Sequence, residues 1–354
     1  MNSNRGRDQF VGNGGPITVN NHNAPSESGL NTLAPHVATN AIHYAKSRAN
    51  RQPCLKGTRG GLIRKLGRWI ERPEENGSLY WVSGGAGVGK TSIAQTLCEK
   101  YSETHLAASH FFSRNDASRN SSHSFVPTIA RQLAKSPALG PHLADAIDVA
   151  ARFHPDITSA DWDYQFKQLI TEPCNRVDAE KWKTLPRLIV IDGLDECLDT
   201  QELEAKKIVP NLRKKKEQAK LLSLFTTITT GASPLPLRFL IFSRPEPTIS
   251  NFFRTVATPE FEQLDMRELR HEADADIELY LRHEFSRFPK EHPDAGLPES
   301  WPGSSWRTIE IPRSRFPKTG SRSSFVEGPL HILTSDPLIN YTTKYWTLWR
   351  VLIL

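Results

Sequence analysis

The sequence predicts an α/β fold with an open, mostly parallel sheet flanked by helices. Two observations predict it. Short apolar runs alternate along the chain with amphipathic helical patterns, which is the order that crossover helices give to parallel strands. Two of these runs, 187–191 (RLIVI) and 237–242 (LRFLIF), are apolar at nearly every position, as strands buried on both faces are. A disordered arm is expected before this unit and an irregular tail after it.

The other elements follow from local patterns. A helix is expected over 58–71, where apolar residues recur at spacings of three and four; they are Leu62, Ile63, Leu66, Trp69 and Ile70. Pro73 ends this helix. Further helices are expected over 92–101, 125–135, 141–151, 160–171 and 274–288. Further strands are expected over 78–82, 108–113 and 261–266, the last as a short outer strand.

The first 50 residues are expected to form a disordered arm, because they are rich in Asn, Gly, Ser and His and carry little apolar surface to bury. Residues 11–23 (VGNGGPITVNNHN) differ from the rest of the arm, since they hold a short Ile-Thr-Val core between Asn and Gly. One interpretation is a linker. The other is a strand-forming motif that stacks with copies on other chains, since Asn ladders favour such stacking.

Composition narrows the class of protein. The net charge of +6 and the pI of about 9.1 suit phosphate ligands but are weak evidence for nucleic acid, so a nucleic-acid partner is not expected. The four cysteines are scattered, without a C-x-x-C pair, which indicates a reducing, cytoplasmic environment. No apolar stretch reaches the roughly 18 residues of a membrane span, and no secretory signal is visible, so no membrane contact is expected.

The segment 83–92 (SGGAGVGKTS) contains the first candidate functional motif. It fits G-x-x-x-x-G-K-[ST] and lies between a predicted strand and a predicted helix. Glycines let backbone N–H groups wrap a phosphate chain, and the helix adds its positive N-terminal end. Lys90 is expected to reach the β- and γ-phosphates and Thr91 to ligate Mg²⁺. The predicted phosphate-binding residues are Gly84, Gly85, Ala86, Gly87, Val88, Gly89, Lys90, Thr91 and Ser92. The sequence therefore predicts that the chain binds a nucleoside triphosphate.

Acidic and basic residues follow two of the other predicted strands. Asp192 comes directly after 187–191, a strand expected to lie beside the strand that precedes the glycine-rich loop, and there it would serve Mg²⁺. Asp195 and Glu196 are expected to orient or deprotonate the attacking water. Arg244 follows 237–242 and is expected to point at the γ-phosphate and sense its presence.

These motifs together resemble a known family. GGAGVGKT, LIVIDGLDE and FLIFSRPEP resemble the NACHT branch of the STAND ATPases, and especially fungal proteins with a nephrocystin-like N-terminal P-loop domain. The segment 54–59 (CLKGTR) is similar to the C-x-x-G-T-R stretch that leads into the first helix of those proteins. The resemblance covers roughly residues 50–288.

The resemblance implies a molecular switch of the NOD-like receptor kind. ADP would hold a closed form, exchange for ATP would open it and let it form homo-oligomers, and the N-terminal segment would signal to a downstream partner. It implies slow hydrolysis of ATP, or of GTP, with Mg²⁺, in fungal innate-immunity or heterokaryon-incompatibility signalling. Lys90 and Thr91 would bind phosphate and Mg²⁺ and Asp192 would serve Mg²⁺; Glu196 would be the catalytic acid or base and Arg244 the sensor.

The expected domain organisation has five parts. These are an arm at 1–50, a lead-in helix at 51–75, the P-loop NTPase domain at 76–268, the start of a helical lid at 269–290 and an irregular tail at 291–354. Two features depart from the family. A basic insert lies between Asp199 and Leu221, and the tail shows no helical period or repeats. The chain is therefore expected to be C-terminally truncated, and a shifted reading frame over the tail is a hypothesis.

Three functions remain open from the sequence. The favoured one is a truncated switch NTPase. The second is a nucleotide-binding scaffold without turnover, and the third is a small-molecule kinase that uses the same loop. No acceptor-binding set of residues is visible for a kinase, and Asp-Gly-Leu-Asp-Glu fits activation of water better. ATP and GTP are both possible ligands, although no Asn-Lys-x-Asp guanine motif is present.

Overall fold

The computed structural model describes residues 28–46, 53–73, 77–197, 218–225, 235–255, 261–291 and 293. Several expectations concern residues outside these ranges. They are the stacking motif at 11–23, the basic insert up to residue 217, and the tail beyond 293.

A five-stranded sheet forms the centre of the fold, and all of its strand pairs are parallel. Its strands are β1 (Leu79–Ser83), β2 (Leu106–Phe111), β3 (Leu188–Asp192), β4 (Arg238–Ser243) and β5 (Phe261–Asp265). They lie side by side in the order β2-β3-β4-β1-β5. The expected open, parallel α/β fold is confirmed, with β5 as the expected outer strand.

Helices flank the sheet. They are α1 (Gly29–Leu33), α2 (Gly60–Glu71), α3 (Lys90–Tyr101), α4 (Phe125–Lys135), α5 (Gly140–Phe153), α6 (Trp162–Phe166), α7 (Glu172–Asn175), α8 (218–225), α9 (Pro247–Thr255) and α10 (Arg270–Glu291). The single helix expected over 160–171 is divided: a π-helical turn, Lys167–Thr171, separates α6 from α7. Pro173 lies just beyond that turn and supplies no backbone N–H, which disturbs regular helical bonding there.

The continuous apolar strands are explained by two cores, one on each face of the sheet. Successive side chains of a strand point to opposite faces. In β4, Phe239 and Ile241 join the core that includes α4 and α5, whereas Leu240 and Phe242 join the core that includes α2 and α3. Every residue of β1, β2, β3 and β4 is buried. Both faces of the sheet are therefore covered, and the alternating polar pattern of a half-exposed strand is missing.

The outer edge of β2 is capped by a side chain. The Gln132 amide in α4 accepts a hydrogen bond from the Ser109 N–H at 3.0 Å and donates one to the Ser109 carbonyl at 2.9 Å. An edge strand presents unpaired N–H and C=O groups, which are a template for pairing with another chain. At Ser109, the Gln132 amide takes the position that a neighbouring strand would have.

The expectation of a disordered arm over 1–50 is wrong for residues 28–46. Leu33 is fully buried, and α1 packs against α5. Polar contacts hold the segment as well: Ser28 Oγ donates to Asp148 Oδ1 at 2.5 Å, and the Ala38 N–H donates to Thr128 Oγ1 at 2.8 Å. The polar composition of the first 50 residues hid the few apolar side chains that reach the core.

Leu33→Ala is expected to destabilise the protein by about 2–5 kcal/mol, because the change leaves a cavity in a filled core. Chemical denaturation followed by circular dichroism measures the effect. Asn31→Ala, in the same helix but exposed, is the matched control and should change stability by less than about 0.5 kcal/mol. Equal midpoints for the two variants would show that this segment does not belong to the folded core.

Candidate functional site

The carboxyl ends of the parallel strands meet at one edge of the sheet, where ligands bind in open α/β folds. The chain beyond β1 and β3 stays tied to β4 at this edge. The Gly84 N–H donates to the Ser243 carbonyl at 3.2 Å, and the Gly193 N–H donates to the Phe242 carbonyl at 2.9 Å. The glycine-rich loop and the acidic turn therefore start from fixed positions.

The loop 84–89 joins β1 to α3 and has the backbone that a phosphate cradle needs. Gly87 and Gly89 have φ angles of 74° and 90°, in the left-handed region that glycine adopts without strain. Gly89 is also the N-cap residue that directly precedes α3. The N–H groups of the first turn of a helix have no partner within the helix, and they favour anions.

Lys90 lies folded over this loop. Its Nζ donates to the carbonyls of Gly84 at 2.9 Å and Gly85 at 2.6 Å. Burial lowers the pKa of Lys90, while Asp195 and Asp192 nearby act in the opposite direction. A partly desolvated ammonium group is a group that an anionic ligand stabilises. The residues present therefore fit a phosphate group.

Thr91 and Asp192 meet at the start of α3. Thr91 Oγ1 donates to Asp192 Oδ2 at 2.8 Å, and Asp192 is buried. A P-loop hydroxyl and a carboxylate, completed by phosphate oxygens and water, are the ligands that Mg²⁺ takes in this kind of site. The part of the chain that the structure describes holds no cluster of three or more His, Cys, Asp or Glu side chains suited to a metal. The pair fits a magnesium ion that the nucleotide helps to hold.

The expectation that the strand before Asp192 lies beside β1 is wrong. β4 lies between β1 and β3 and is hydrogen-bonded to both. Neighbouring strands are about 4.8 Å apart, so β3 is displaced from β1 by about twice that distance. Thr91 still reaches Asp192 because α3 packs across both β3 and β4.

The two acids that follow Asp192 have different surroundings. Asp195 is only 2% exposed; its Oδ1 accepts a hydrogen bond from the Arg244 N–H at 2.9 Å, and its Oδ2 lies 3.3 Å from Arg244 Nε. Glu196 is half-buried, and its Oε2 accepts a hydrogen bond from the Arg114 N–H at 3.1 Å. Of the two acids expected to act on water, Glu196 is the more accessible one.

Sequence reasoning missed Arg114. It follows β2, and its Nη2 lies 3.7 Å from Asp195 Oδ2. The signal was available: Arg114 follows a predicted strand just as Arg244 does, and parallel strands carry such residues to the same edge.

The role of Arg59 was also missed, although the C-x-x-G-T-R segment was recognised. Its Nη2 donates to the carbonyl of Val88 in the glycine-rich loop at 3.0 Å, and its backbone N–H donates to Asp276 Oδ2 in α10 at 2.9 Å. Arg59 adopts φ 54°, a conformation that a side chain disfavours. The lead-in segment therefore connects the loop with the helix expected to begin the lid.

A cavity of about 400 Å³ lies at the opposite edge, beside the amino ends of β3 and β4. Arg238 in its wall donates to the carbonyls of Trp69 and Gly77. The Arg238 guanidinium therefore joins the end of α2 and the segment before β1 to the first residue of β4. Among the described residues, the glycine-rich loop and the acidic turn both lie at the carboxyl edge.

Comparison with known proteins identifies the family. The family model described as "Nephrocystin 3, N-terminal" matches residues 64–244, just over half of the chain. This match includes the glycine-rich loop, the acids after β3, and Arg244. No curated protein matches.

Solved structures give weaker similarities. An Aeropyrum pernix ORC2 protein in its ADP form is 15% identical over 65% of this chain and 55% of its own, with a TM-score of 0.34. A Pyrococcus horikoshii STAND protein with a tetratricopeptide repeat sensor is 16% identical over 68% of this chain and 29% of its own, also with a TM-score of 0.34. An Escherichia coli HORMA:CdnC:Trip13 complex is 16% identical over 68% of this chain and 66% of the matched chain, with a TM-score of 0.26. The chain thus spans about half of the first protein and under a third of the second, and matches of this weakness carry no information on activity.

Within the described ranges, no helix has both the length and the apolar character to cross a membrane. Fungal origin, cytoplasmic location and truncation stay predictions. The family match and the parallel sheet agree with what the motifs predicted. The chain belongs to the nephrocystin 3 N-terminal family, and its glycine-rich loop, acidic turn and Arg244 resemble those of the NACHT branch of the STAND ATPases.

Proposed function

We propose that this domain is a nucleotide-dependent switch that binds ATP or GTP with Mg²⁺ and hydrolyses it slowly. The observation that carries the proposal is the contact between Thr91 and Asp192, 2.8 Å apart at the start of α3. It joins the glycine-rich loop to the acidic turn after β3, which supports one site for the groups that we assign to phosphate and to Mg²⁺.

The phosphate chain would lie along the loop 84–89 and the first turn of α3. Lys90 is held there by loop carbonyls, and an ammonium group placed in this way can exchange those contacts for charge-assisted hydrogen bonds to the β- and γ-phosphates. Ser92 follows in the same turn. The helix N-terminus adds its N–H groups and its positive end.

Thr91 and Asp192 would hold Mg²⁺, which would neutralise charge on the phosphate oxygens. Glu196 is the acid we assign to orienting and deprotonating the attacking water, because it is half-buried and accessible. Arg244 is assigned to the γ-phosphate, and its guanidinium is held beside Asp195. In these assignments the accessible acid, Glu196, acts on water, and the buried acid, Asp195, holds Arg244 in position.

A switch also requires that other parts of the chain respond to whether the site holds a diphosphate or a triphosphate. Arg59 contacts both Val88 in the loop and Asp276 in α10, which supports such a connection. In the full proposal, exchange of ADP for ATP changes these contacts. The proposal also includes the formation of homo-oligomers and signalling through residues before 28. The signalling would belong to a cytoplasmic fungal defence or incompatibility pathway.

The first experiment is nucleotide analysis of the purified full chain. We expect ADP, or its guanine counterpart, to be released on denaturation, and triphosphate binding by the emptied protein to weaken when EDTA removes Mg²⁺. Calorimetric titrations with ATP and with GTP identify the base. A chain that carries no nucleotide and binds neither triphosphate would contradict the proposal. Transfer of labelled phosphate to a small molecule instead of water would favour the kinase.

A further inference from the structure

Asp195 interacts with two arginines that come from opposite sides of β3. Arg244 follows β4, and its Nε lies 3.3 Å from Asp195 Oδ2. Arg114 follows β2, and its Nη2 lies 3.7 Å from the same oxygen. The strand order explains the arrangement, because β3 is placed between β2 and β4. The carboxylate of Asp195 is thus paired with two guanidinium groups at the carboxyl edge of the sheet.

The exposure of the three side chains differs sharply. The Asp195 side chain is 2% exposed, whereas the side chains of Arg114 and Arg244 are 41% and 40% exposed. The buried carboxylate is therefore the fixed member, and the arginines extend from it towards solvent. At 3.7 Å the contact of Arg114 with Asp195 is an ion pair beyond hydrogen-bonding distance. The Arg114 guanidinium therefore compensates the buried charge of Asp195 and still has N–H donors for another acceptor.

Arg114 also contacts Glu196, the acid that we assign to the attacking water. Its backbone N–H donates to Glu196 Oε2 at 3.1 Å. Thr91, which follows Lys90, donates to Asp192 Oδ2 at 2.8 Å, so the acidic turn lies beside the first turn of α3. Arg114 reaches the same cluster from the side opposite Arg244.

A terminal phosphate group offers more oxygens than one arginine contacts, and a guanidinium binds phosphate through two parallel N–H donors. Charge on these oxygens is what arginines stabilise in phosphoryl transfer. Two arginines held by one carboxylate can contact a terminal phosphate from two sides.

We propose that Arg114 is a second phosphate-contact residue of the nucleotide site, presented from the β2 side while Arg244 is presented from the β4 side. Asp195 is then a positioning residue for both arginines, and Glu196 alone acts on water. This inference rests on the proposed function, because it requires that the site binds a triphosphate. The ligand group it concerns is the γ-phosphate, which ADP lacks.

The test compares two ligands on the full chain with Mg²⁺: ADP and a non-hydrolysable ATP analogue, or the guanine pair if the titrations identify GTP. We expect Arg114→Ala to weaken binding of the triphosphate analogue about 10- to 100-fold, the range of one or two charge-assisted hydrogen bonds. ADP affinity should change by less than about twofold, since no contact with the first two phosphates is lost. Asp195→Asn should show the same selective loss, because its arginines lose their anchor.

Arg152→Ala is the matched control. The Arg152 side chain is also 41% exposed and pairs with a carboxylate, Asp148, at 2.9 Å, but it lies in α5. It should leave both affinities unchanged. Arg114→Gln and Arg114→Lys guard against misfolding of the alanine variant, and thermal unfolding checks every protein. Lysine should restore only part of the loss, since it offers a point charge instead of two parallel donors.

The outcomes separate the two proposals. If Arg114→Ala keeps the wild-type ratio of triphosphate to ADP affinity, or weakens both equally, Arg114 is structural and this inference is wrong while the proposed function stands. If the wild type binds neither ligand, the proposed function fails and this inference fails with it. Selective loss in Arg114→Ala and Arg114→Gln, with Arg152→Ala unchanged, supports it.

Discussion

Replacing Lys90 with alanine is expected to abolish measurable binding of a nucleoside triphosphate. The change removes the ammonium group that lies 2.9 Å from the Gly84 carbonyl and 2.6 Å from the Gly85 carbonyl at the centre of the loop. Loss of several charge-assisted hydrogen bonds to phosphate weakens binding on the order of 100-fold or more, which is about 2.7 kcal/mol or more. Isothermal titration calorimetry with ATP and with GTP measures the effect.

The same change should not weaken the fold. Burial lowers the pKa of Lys90, so the folded state disfavours its charged form. This penalty is present at neutral pH, and it fades as pH rises through the lowered pKa towards the ordinary value. Without nucleotide, Lys90→Ala should therefore melt at the wild-type temperature or above it. Lys135→Ala, at the exposed end of α4, is the control and should bind normally. Normal affinity of Lys90→Ala would show that the phosphate site lies elsewhere.

Replacing Glu196 with glutamine is expected to slow hydrolysis by about 10²- to 10⁴-fold, the usual contribution of a positioned acid or base. Binding should be retained, because a glutamine carbonyl can still accept the hydrogen bond from the Arg114 N–H, now 3.1 Å from Glu196 Oε2. Phosphate release under single-turnover conditions measures the rate, and calorimetry confirms that the triphosphate is bound.

Glu103→Gln is the control for this change, since Glu103 is exposed just beyond α3, at the end of the helix away from the loop. It should hydrolyse at the wild-type rate. If Glu196→Gln also does so and wild-type turnover is measurable, another group activates the water. If the wild type binds the triphosphate but turnover is absent in both proteins, the domain is a nucleotide-binding scaffold.

The sequence predicted most of the helices and strands and most residues of the candidate site. Apolar runs identified β3 and β4, because a strand buried on both faces has no polar alternation. The motif around Lys90 and Thr91 predicted a phosphate-binding loop, because its residue types follow from backbone shape and charge. Asp192 was found because it directly follows a buried strand. The described structure contains all three features in one place, with Thr91 and Asp192 in contact.

The lateral order of the strands could not be predicted in the same way. Local periodicity shows where a strand lies in the chain, but long-range contacts decide which strand is its neighbour. The place of β4 between β1 and β3 was missed for this reason. Arg114 was missed although it directly follows a predicted strand, and its contact with Asp195 depends on the position of β2 beside β3. Residues 28–46 were missed because a composition averaged over 50 residues concealed Leu33.

The cap that Gln132 provides on β2 limits how copies of this domain can associate. An oligomer built by continuing the sheet from one molecule into the next would need Ser109 to donate to and accept from a foreign backbone. Both of these groups are already engaged within the molecule. Sheet extension at this side would first have to displace an amide held in α4. Association of copies, as the proposed switch would require, is therefore not expected to extend the sheet at Ser109 on the β2 side.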